Sequence, residues 1–117
     1  MKENIIKSKS FEFALRIVKL YQFMSEQKKE FILSKQILRS GTSIGASVRE
    51  SEHAESVPDF IHKLSVALKE ANETDYWLDL LYKSGYFDET SYNSIKNDVT
   101  ELLKLLTSIL KKTKQKN

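Results

Sequence analysis

Two pairs of side chains in the sequence have the types and spacing of metal ligands. Glu50 precedes His53 by three residues, and Asp59 precedes His62 by three. A carboxylate and a histidine three residues apart share one helix face, and four-helix proteins of the ferritin type hold two iron ions with such pairs. A di-iron centre is therefore the first chemistry to weigh.

The helical phase of these residues argues against a metal site. If Val48 marks the inward line of its helix, Glu50 lies about 200° and His53 about 140° away at 100° per residue. His62 lies about 200° from the inward Leu64. The chain has no cysteine, and no serine, histidine and aspartate motif suggests a catalytic triad. We therefore expect no metal, no other cofactor, no catalytic residues and no enzymatic activity.

The composition favours one small helical domain. With three glycines and one proline in 117 residues, the chain is poorly suited to a turn-rich β architecture. The absence of cysteine fits a reducing compartment. Neither a signal peptide nor an apolar run long enough for a membrane span is recognisable. We expect a cytoplasmic protein without a membrane partner.

Four helices are predicted in a single domain of residues 1–117, at about residues 10–26, 31–53, 57–84 and 89–112. Ser10 and Ser56 are expected to cap the first and third helices, and Gly85 is expected to end the third. The short connections imply antiparallel neighbours. The predicted fold class is an all-α, up-down-up-down four-helix bundle.

The first and third predicted helices carry more apolar surface than one bundle face needs. In the first helix, one stripe consists of Phe11, Leu15, Val18 and Tyr21, and a second stripe lies on a different face. A helix that is apolar on two sides can pack against its own bundle and against another subunit, although a helix buried deep in the core shows a similar pattern. We assign these residues to an interface in a homo-oligomer: Phe13, Ile17, Leu20, Met24, Trp77 and Leu80.

Two features inside the predicted helices need a structural explanation. Gly41 and Gly45 lie one turn apart in the second helix, where each costs about 0.8–1 kcal/mol relative to alanine, so a close approach to a neighbouring helix is expected. Asp75 falls on the inward register of the third helix and needs a partner. Arg39, Arg49 or Thr42 of the second helix is expected to supply it.

The charges are unevenly distributed along the chain. Residues 10–49 carry seven basic and three acidic side chains, whereas residues 50–110 carry five basic and twelve acidic ones. The pattern has two interpretations, ordinary solvated helix faces or a basic side offered to an anionic partner. Under the second interpretation, the candidate nucleic-acid-binding residues are Arg16, Lys19, Lys28, Lys29, Lys35 and Arg39.

Three segments of the sequence carry a resemblance to a known family. Residues 10–21, residues 38–50 with the run RSGTSIGA, and residues 59–78 with KEANETDYWL resemble the bacterial four-helix-bundle proteins encoded in 23S rRNA intervening sequences. The resemblance covers about residues 8–112. It implies assembly into a homopentamer and kinship with the accessory variability protein of diversity-generating retroelements, a basic pentamer that binds nucleic acid and a reverse transcriptase.

The combined expectation is an oligomeric, non-enzymatic four-helix bundle that associates with RNA or DNA. The alternative is a protein–protein interaction scaffold that binds no nucleic acid and uses its charges for solubility. Salt-dependent binding to RNA or DNA distinguishes the two.

Overall fold

Four α-helices follow one another in the computed structural model, which describes residues 2–116 and the side chains of residues 5–116. Helix α1 spans Lys2–Glu26, α2 spans Leu33–Ser51, α3 spans Val57–Lys83 and α4 spans Glu89–Gln115. The connections are residues 27–32, 52–56 and 84–88, each too short to run back along a helix, so successive helices are antiparallel.

The helices form a closed ring of packed neighbours. Contacts join α1 to α2, α2 to α3, α3 to α4 and α4 back to α1, in a body of 47 × 22 × 19 Å. This arrangement confirms the predicted all-α, antiparallel four-helix bundle. Within the described residues, no helix has the length and hydropathy that crossing a membrane requires.

The inward face of α2 is built from small and β-branched residues. Ile37, Ile44 and Val48 lie in the core with Ser40 and Gly41. A Cβ placed on Gly41 would come within 3 Å of Ile17 on α1, and one on Gly45 would lie 3.3 Å from the backbone oxygen of Ser10. The predicted close approach of α2 to a neighbouring helix is therefore confirmed, and the neighbour is α1.

Side chains at the helix ends account for most of the helix boundaries. Ser56 caps α3 by accepting a hydrogen bond from the Asp59 N–H, and Asp88 caps α4 by accepting one from Ser91. Helix α2 lacks a capping side chain at its first flanking residue. Glu30 replaces it, because its carboxylate accepts hydrogen bonds from the backbone N–H groups of Ile32, Leu33 and Ser34.

Helix α1 begins earlier than predicted, at Lys2 and not after Ser10. Ser10 is buried inside the helix, and its hydroxyl donates to the backbone oxygen of Lys7 at 3.2 Å. A serine hydroxyl can satisfy itself in this way as well as at a cap, so residue type alone did not locate the helix start. Ile6, which is 1% exposed, anchors the additional turns to the core. At the other end of the chain, α4 continues to Gln115, three residues beyond the predicted end at Lys112.

The predicted subunit interface was wrong for three of its four α1 residues. Phe13, Ile17 and Met24, predicted at a subunit interface, are at most 2% exposed inside one chain. Phe11 and Leu15 of the other stripe are each 51% exposed. The physical reason is that Gly41 and Gly45 of α2 admit the face of α1 that carries Ile17 and Ser10. The three remaining predicted interface residues are partly buried: Leu20, Trp77 and Leu80. Of these, Leu20 and Trp77 pack against the core.

The polar partners between α2, α3 and α4 also differ from the prediction. Asp75 is half-buried and pairs with Lys96 of α4, not with Arg39, Arg49 or Thr42 of α2. The polar residue that faces α2 is the adjacent Thr74. It is fully buried, and its Oγ1 donates to Ser40 Oγ at 2.9 Å. The one-residue difference turns Asp75 by about 100° toward α4.

Candidate nucleic-acid interface

A groove opens at the end of the bundle where α1 and α3 end and α2 and α4 begin. Its volume is about 830 Å³, and it lies between the second half of α1 and the turn that joins α3 to α4. We call it the basic groove and define it by three cationic and three aromatic lining residues: Arg16, Lys19, Lys28, Phe23, Tyr86 and Phe87.

Helix α1 places two of the cations and one aromatic ring on the same wall. Arg16, Lys19 and Phe23 are spaced at i, i+3 and i+7, which brings side chains onto one helix face. The half-buried Leu20 also lines the groove and packs against the core, so it fixes the orientation of this wall. Lys28 follows the end of α1 and lies with its Nζ 5.7 Å from the centroid of the Phe23 ring, within the range of a cation–π contact.

The turn between α3 and α4 supplies the opposite wall. Gly85 has a φ of +86°, and its N–H donates to the Tyr82 oxygen while the Tyr86 N–H donates to the Leu81 oxygen. These two bonds form a Schellman motif, which requires a left-handed residue that glycine adopts without strain. The motif ends α3 and directs Tyr86 and Phe87 toward the groove.

A stack of aromatic rings supports this wall from behind. Tyr82 of α3 and Tyr92 of α4 have ring centroids 4.1 Å apart and planes 12° apart. The Phe87 ring lies 6.4 Å from Tyr82 and 6.3 Å from Tyr92, roughly parallel to both. Offset stacking of this kind holds rings in fixed orientations, so the Phe87 wall is preorganised.

The cations of the groove differ in how far they are already neutralised. Arg16 Nη1 lies 2.6 Å from Asp98 Oδ2, and its Nη2 donates to Ser94 Oγ at 3.1 Å. Lys19 is exposed, and it pairs with no carboxylate among the side chains of residues 5–116. Within the part of the chain whose side chains are described, Lys28 contacts the Phe23 ring and no carboxylate. Lys19 and Lys28 are therefore the cations best placed to meet an anionic ligand.

One carboxylate also lines the groove. Asp88 is exposed, and its pKa is held below the ordinary value, chiefly because it accepts a hydrogen bond from the backbone N–H of Ser91. It therefore stays ionised at neutral pH and opposes an anion on the α4 side. The positive field of the groove is concentrated along α1.

Three of the six predicted basic residues do not line the groove. Arg39 contacts Glu70 and Glu73 of α3, so its charge is balanced within the bundle. Lys29 lies in the connection after α1, with a φ of 55°, and Lys35 is exposed on the first turns of α2. The structure thus brings Arg16, Lys19 and Lys28 together but not the whole predicted set.

The carboxylate–histidine pairs lie elsewhere on the surface. His53 and His62 are exposed, and Glu50 pairs with Lys63 at 3.5 Å. Among the side chains of residues 5–116, no three histidine and carboxylate groups come together as a metal-ligand set.

The aromatic half of the groove was missed in the sequence. Phe23 belongs to neither apolar stripe of α1, and it follows Lys19 by one helical turn. Tyr86 and Phe87 come directly after Gly85, the residue that was predicted to end α3. The sequence signal for these groove residues was an aromatic ring that fits no core register and lies next to a lysine or a helix end.

Comparisons with known proteins place the chain in a family. The family model described as 23S rRNA-intervening sequence protein matches residues 2–108. A solved structure of a protein with unknown function, from the S23 ribosomal protein family of Bacteroides thetaiotaomicron VPI-5482, is 61% identical with a TM-score of 0.94. The match covers 95% of this chain and 99% of that one. The comparison with curated proteins returned no match. The chain belongs to the 23S rRNA-intervening sequence protein family.

Proposed function

We propose that this protein is an oligomeric, non-enzymatic protein that binds RNA or DNA through the basic groove. The observation that carries the proposal is the convergence of Arg16, Lys19 and Lys28 with three aromatic rings on one concave surface. Cations attract the phosphates of a nucleic acid, and aromatic rings stack on its bases. The absence of an enzymatic activity stays a prediction. The cytoplasmic location also stays a prediction.

Electrostatics limit how tightly one groove can bind. With two or three phosphates contacted, the logarithm of the association constant should fall with the logarithm of salt concentration with a slope of about −2. The acidic residues of α3 and α4 add a repulsive background, since the chain carries a net charge of only +3. Useful affinity therefore requires several grooves acting on one strand.

The exposed apolar stripe of α1 supports the oligomeric part of the proposal. Phe11, Leu15 and Val18 lie on one helix face at spacings of four and three residues, and each is at least 37% exposed. Arg49 of α2 lies over the Phe11 ring, 5.6 Å from its centroid, at the edge of this stripe. A contiguous apolar helix face of this kind is suited to a subunit interface. The pentamer implied by the family resemblance stays a prediction.

Nucleic-acid binding is tested by fluorescence anisotropy with labelled RNA and DNA oligonucleotides at 50 and 200 mM salt. We expect salt-dependent binding that the double variant Lys19→Glu/Lys28→Glu abolishes. The matched control is Lys69→Glu/Lys104→Glu, which changes the net charge equally at exposed positions outside the groove. Equal losses in the two double variants, or binding insensitive to salt, would contradict a role for the groove.

The second candidate function is a protein-interaction scaffold, favoured by the same exposed stripe of α1. Light scattering of the wild type and of Leu15→Lys tests the stripe. We expect the wild type to exceed the 13.6 kDa of one chain and the variant to dissociate while its circular dichroism stays helical. A wild type that remains a 13.6 kDa particle at high concentration would exclude the oligomer. An oligomer that binds no RNA or DNA would favour the scaffold.

A further inference from the structure

We infer that the basic groove accepts an unpaired nucleotide, so that the ligand is single-stranded and not duplex nucleic acid. This inference rests on the proposed function and adds the class of ligand. It comes from the aromatic residues of the groove, which electrostatic attraction to phosphate alone does not require.

The exposure of Phe23 is the first observation. Its side chain is 40% exposed in a helix whose core face is already filled by Phe13, Ile17 and Met24. Phe23 therefore contributes little to the core, and its ring presents apolar surface to the groove. The Lys28 Nζ lies 5.7 Å from the centroid of the ring, and it is positioned to meet the phosphate of a nucleotide whose base stacks on that ring.

The second observation is that aromatic rings line both walls. Phe23 belongs to α1, whereas Tyr86 and Phe87 belong to the turn between α3 and α4. The stack with Tyr82 and Tyr92 holds Phe87 in a fixed orientation. Stacking on such rings is open to any base whose face is free, and it tolerates different sequences.

A duplex does not present its bases in this way. In a double helix the faces of the bases are covered by their neighbours, and proteins reach only base edges in the grooves or the phosphate backbone. The volume of about 830 Å³ lies within the range of roughly 300–1,000 Å³ found for small-molecule sites, and it fits a splayed nucleotide and not the width of a helix.

The charges of the groove give the nucleotide a direction. Lys19 and Lys28 lie on the α1 side, and the Asp88 carboxylate lies on the α4 side. The phosphates are therefore drawn toward α1. The base, which carries no negative charge, is left to contact the rings.

The test compares one sequence as a single strand and as a duplex, in RNA and in DNA, with wild type and two Phe23 variants. We expect the single strand to bind more tightly. Phe23→Leu removes one base–ring stack, so it should bind the single strand roughly 5- to 150-fold more weakly than wild type does. Its affinity for the duplex and the dependence of binding on salt should change little. Phe23→Trp should retain binding, because it keeps a ring. Tyr76→Leu is the control, since Tyr76 is 58% exposed but does not line the groove.

The outcomes separate this inference from the proposed function. If neither form binds, or if Lys19→Glu/Lys28→Glu binds as well as wild type, the proposed function fails and the inference with it. If binding is salt-dependent but the duplex binds as tightly as the single strand, or Phe23→Leu matches Tyr76→Leu, the inference alone is overturned. Light scattering of Phe23→Leu checks that its oligomeric state is unchanged.

Discussion

A methyl group on Gly41 of α2 would lie 2.7 Å from Cγ1 and 2.9 Å from Cγ2 of Ile17 on α1. Both atoms branch from the Ile17 Cβ, close to the backbone, so they cannot swing away as the end of a long side chain can. The lack of a side chain at position 41 therefore allows the first two helices to approach this closely.

Gly41→Ala should destabilise the fold despite the better helix propensity of alanine. The propensity gain is about 1 kcal/mol, whereas overpacking costs about 1–3 kcal/mol, so we expect a net loss of up to about 2 kcal/mol in the free energy of unfolding. Urea denaturation measures it. Gly45→Ala, whose Cβ would meet the Ser10 oxygen at 3.3 Å, should lose less.

A double-mutant cycle identifies the clash as the cause. Ile17→Ala removes both atoms that the new methyl group would meet, although it leaves a cavity of its own. The combination Gly41→Ala/Ile17→Ala should lose less stability than the two single variants together. If the losses of the two single variants simply add, the destabilisation by Gly41→Ala does not come from the clash with Ile17.

Glu30 should make the stability of α2 depend on pH. Burial raises the pKa of this carboxyl, but the hydrogen bonds from the backbone N–H groups of Leu33, Ser34 and Ile32 outweigh burial and lower the pKa below its ordinary value of 4.5. A group with a lowered folded pKa stabilises the fold above its unfolded pKa, and the benefit disappears as pH falls through the folded pKa. Glu30→Ala should lose about 1 kcal/mol at pH 7, as other N-cap removals do.

The difference between wild type and Glu30→Ala should shrink as pH falls below about 4.5. Circular dichroism during urea denaturation at pH 7, 5, 4 and 3 provides the measurement. Glu12→Gln, an exposed position within α1, is the control and should follow the wild type. A gap of constant size at all four pH values would rule out the carboxylate as the titrating group.

Lys96 should hold α3 and α4 together through two carboxylates. Its ammonium contacts Asp75 and lies 3.0 Å from Asp79, which also accepts a hydrogen bond from the Tyr92 hydroxyl at 2.5 Å. Burial lowers the pKa of Lys96, but the hydrogen bonds and charges of the two aspartates outweigh burial and raise the pKa above its ordinary value. Burial raises the pKa of Asp79, but the hydrogen bonds from Tyr92 and Lys96 outweigh burial and lower the pKa below its ordinary value.

Lys96→Met should lose about 1 kcal/mol at pH 7, because the groups are partly exposed and water screens the pairs. The raised pKa of Lys96 means that its contribution is complete below 10.5 and is lost only as pH rises through the folded pKa. At the acid end, the contribution of Asp79 is lost as pH falls below 3.8. In urea denaturation between pH 3 and 10, the stability difference between wild type and Lys96→Met should stay constant up to pH 10 and become smaller at pH 3. Lys104→Met, exposed on the same helix, should change stability by less than about 0.5 kcal/mol.

Arg39 and Lys19 should show opposite phenotypes. Arg39 is paired with Glu70 and Glu73, so Arg39→Gln should reduce stability by up to about 1 kcal/mol and leave oligonucleotide affinity unchanged. Lys19→Gln should weaken binding at low salt and leave the unfolding midpoint unchanged, because Lys19 is exposed in the groove. Anisotropy and urea denaturation on both variants give the comparison. Loss of oligonucleotide binding in Arg39→Gln would instead indicate that the nucleic-acid interface lies on α2.

Local signals in the chain predicted the fold well. Ser56, Gly85 and the short polar connections mark helix ends through hydrogen bonds within a few residues, so a single sequence contains the necessary information. Gly41 and Gly45 likewise announced a close helix contact, because little else explains glycine in a helix interior. The four helices, their antiparallel order and the small-residue seam of α2 were all determined at this level.

Only the tertiary structure decided which face of each helix meets which neighbour. The two stripes of α1 have similar hydrophobicity, so periodicity could not choose between Phe11 and Phe13 as the buried ring, and packing against Gly41 made the choice. The pairing of Asp75 with Lys96, and the presence of Phe23 and Phe87 in one groove, depend on residues far apart in the chain. Such contacts follow from the rotation of whole helices against one another, which no local pattern of residues encodes.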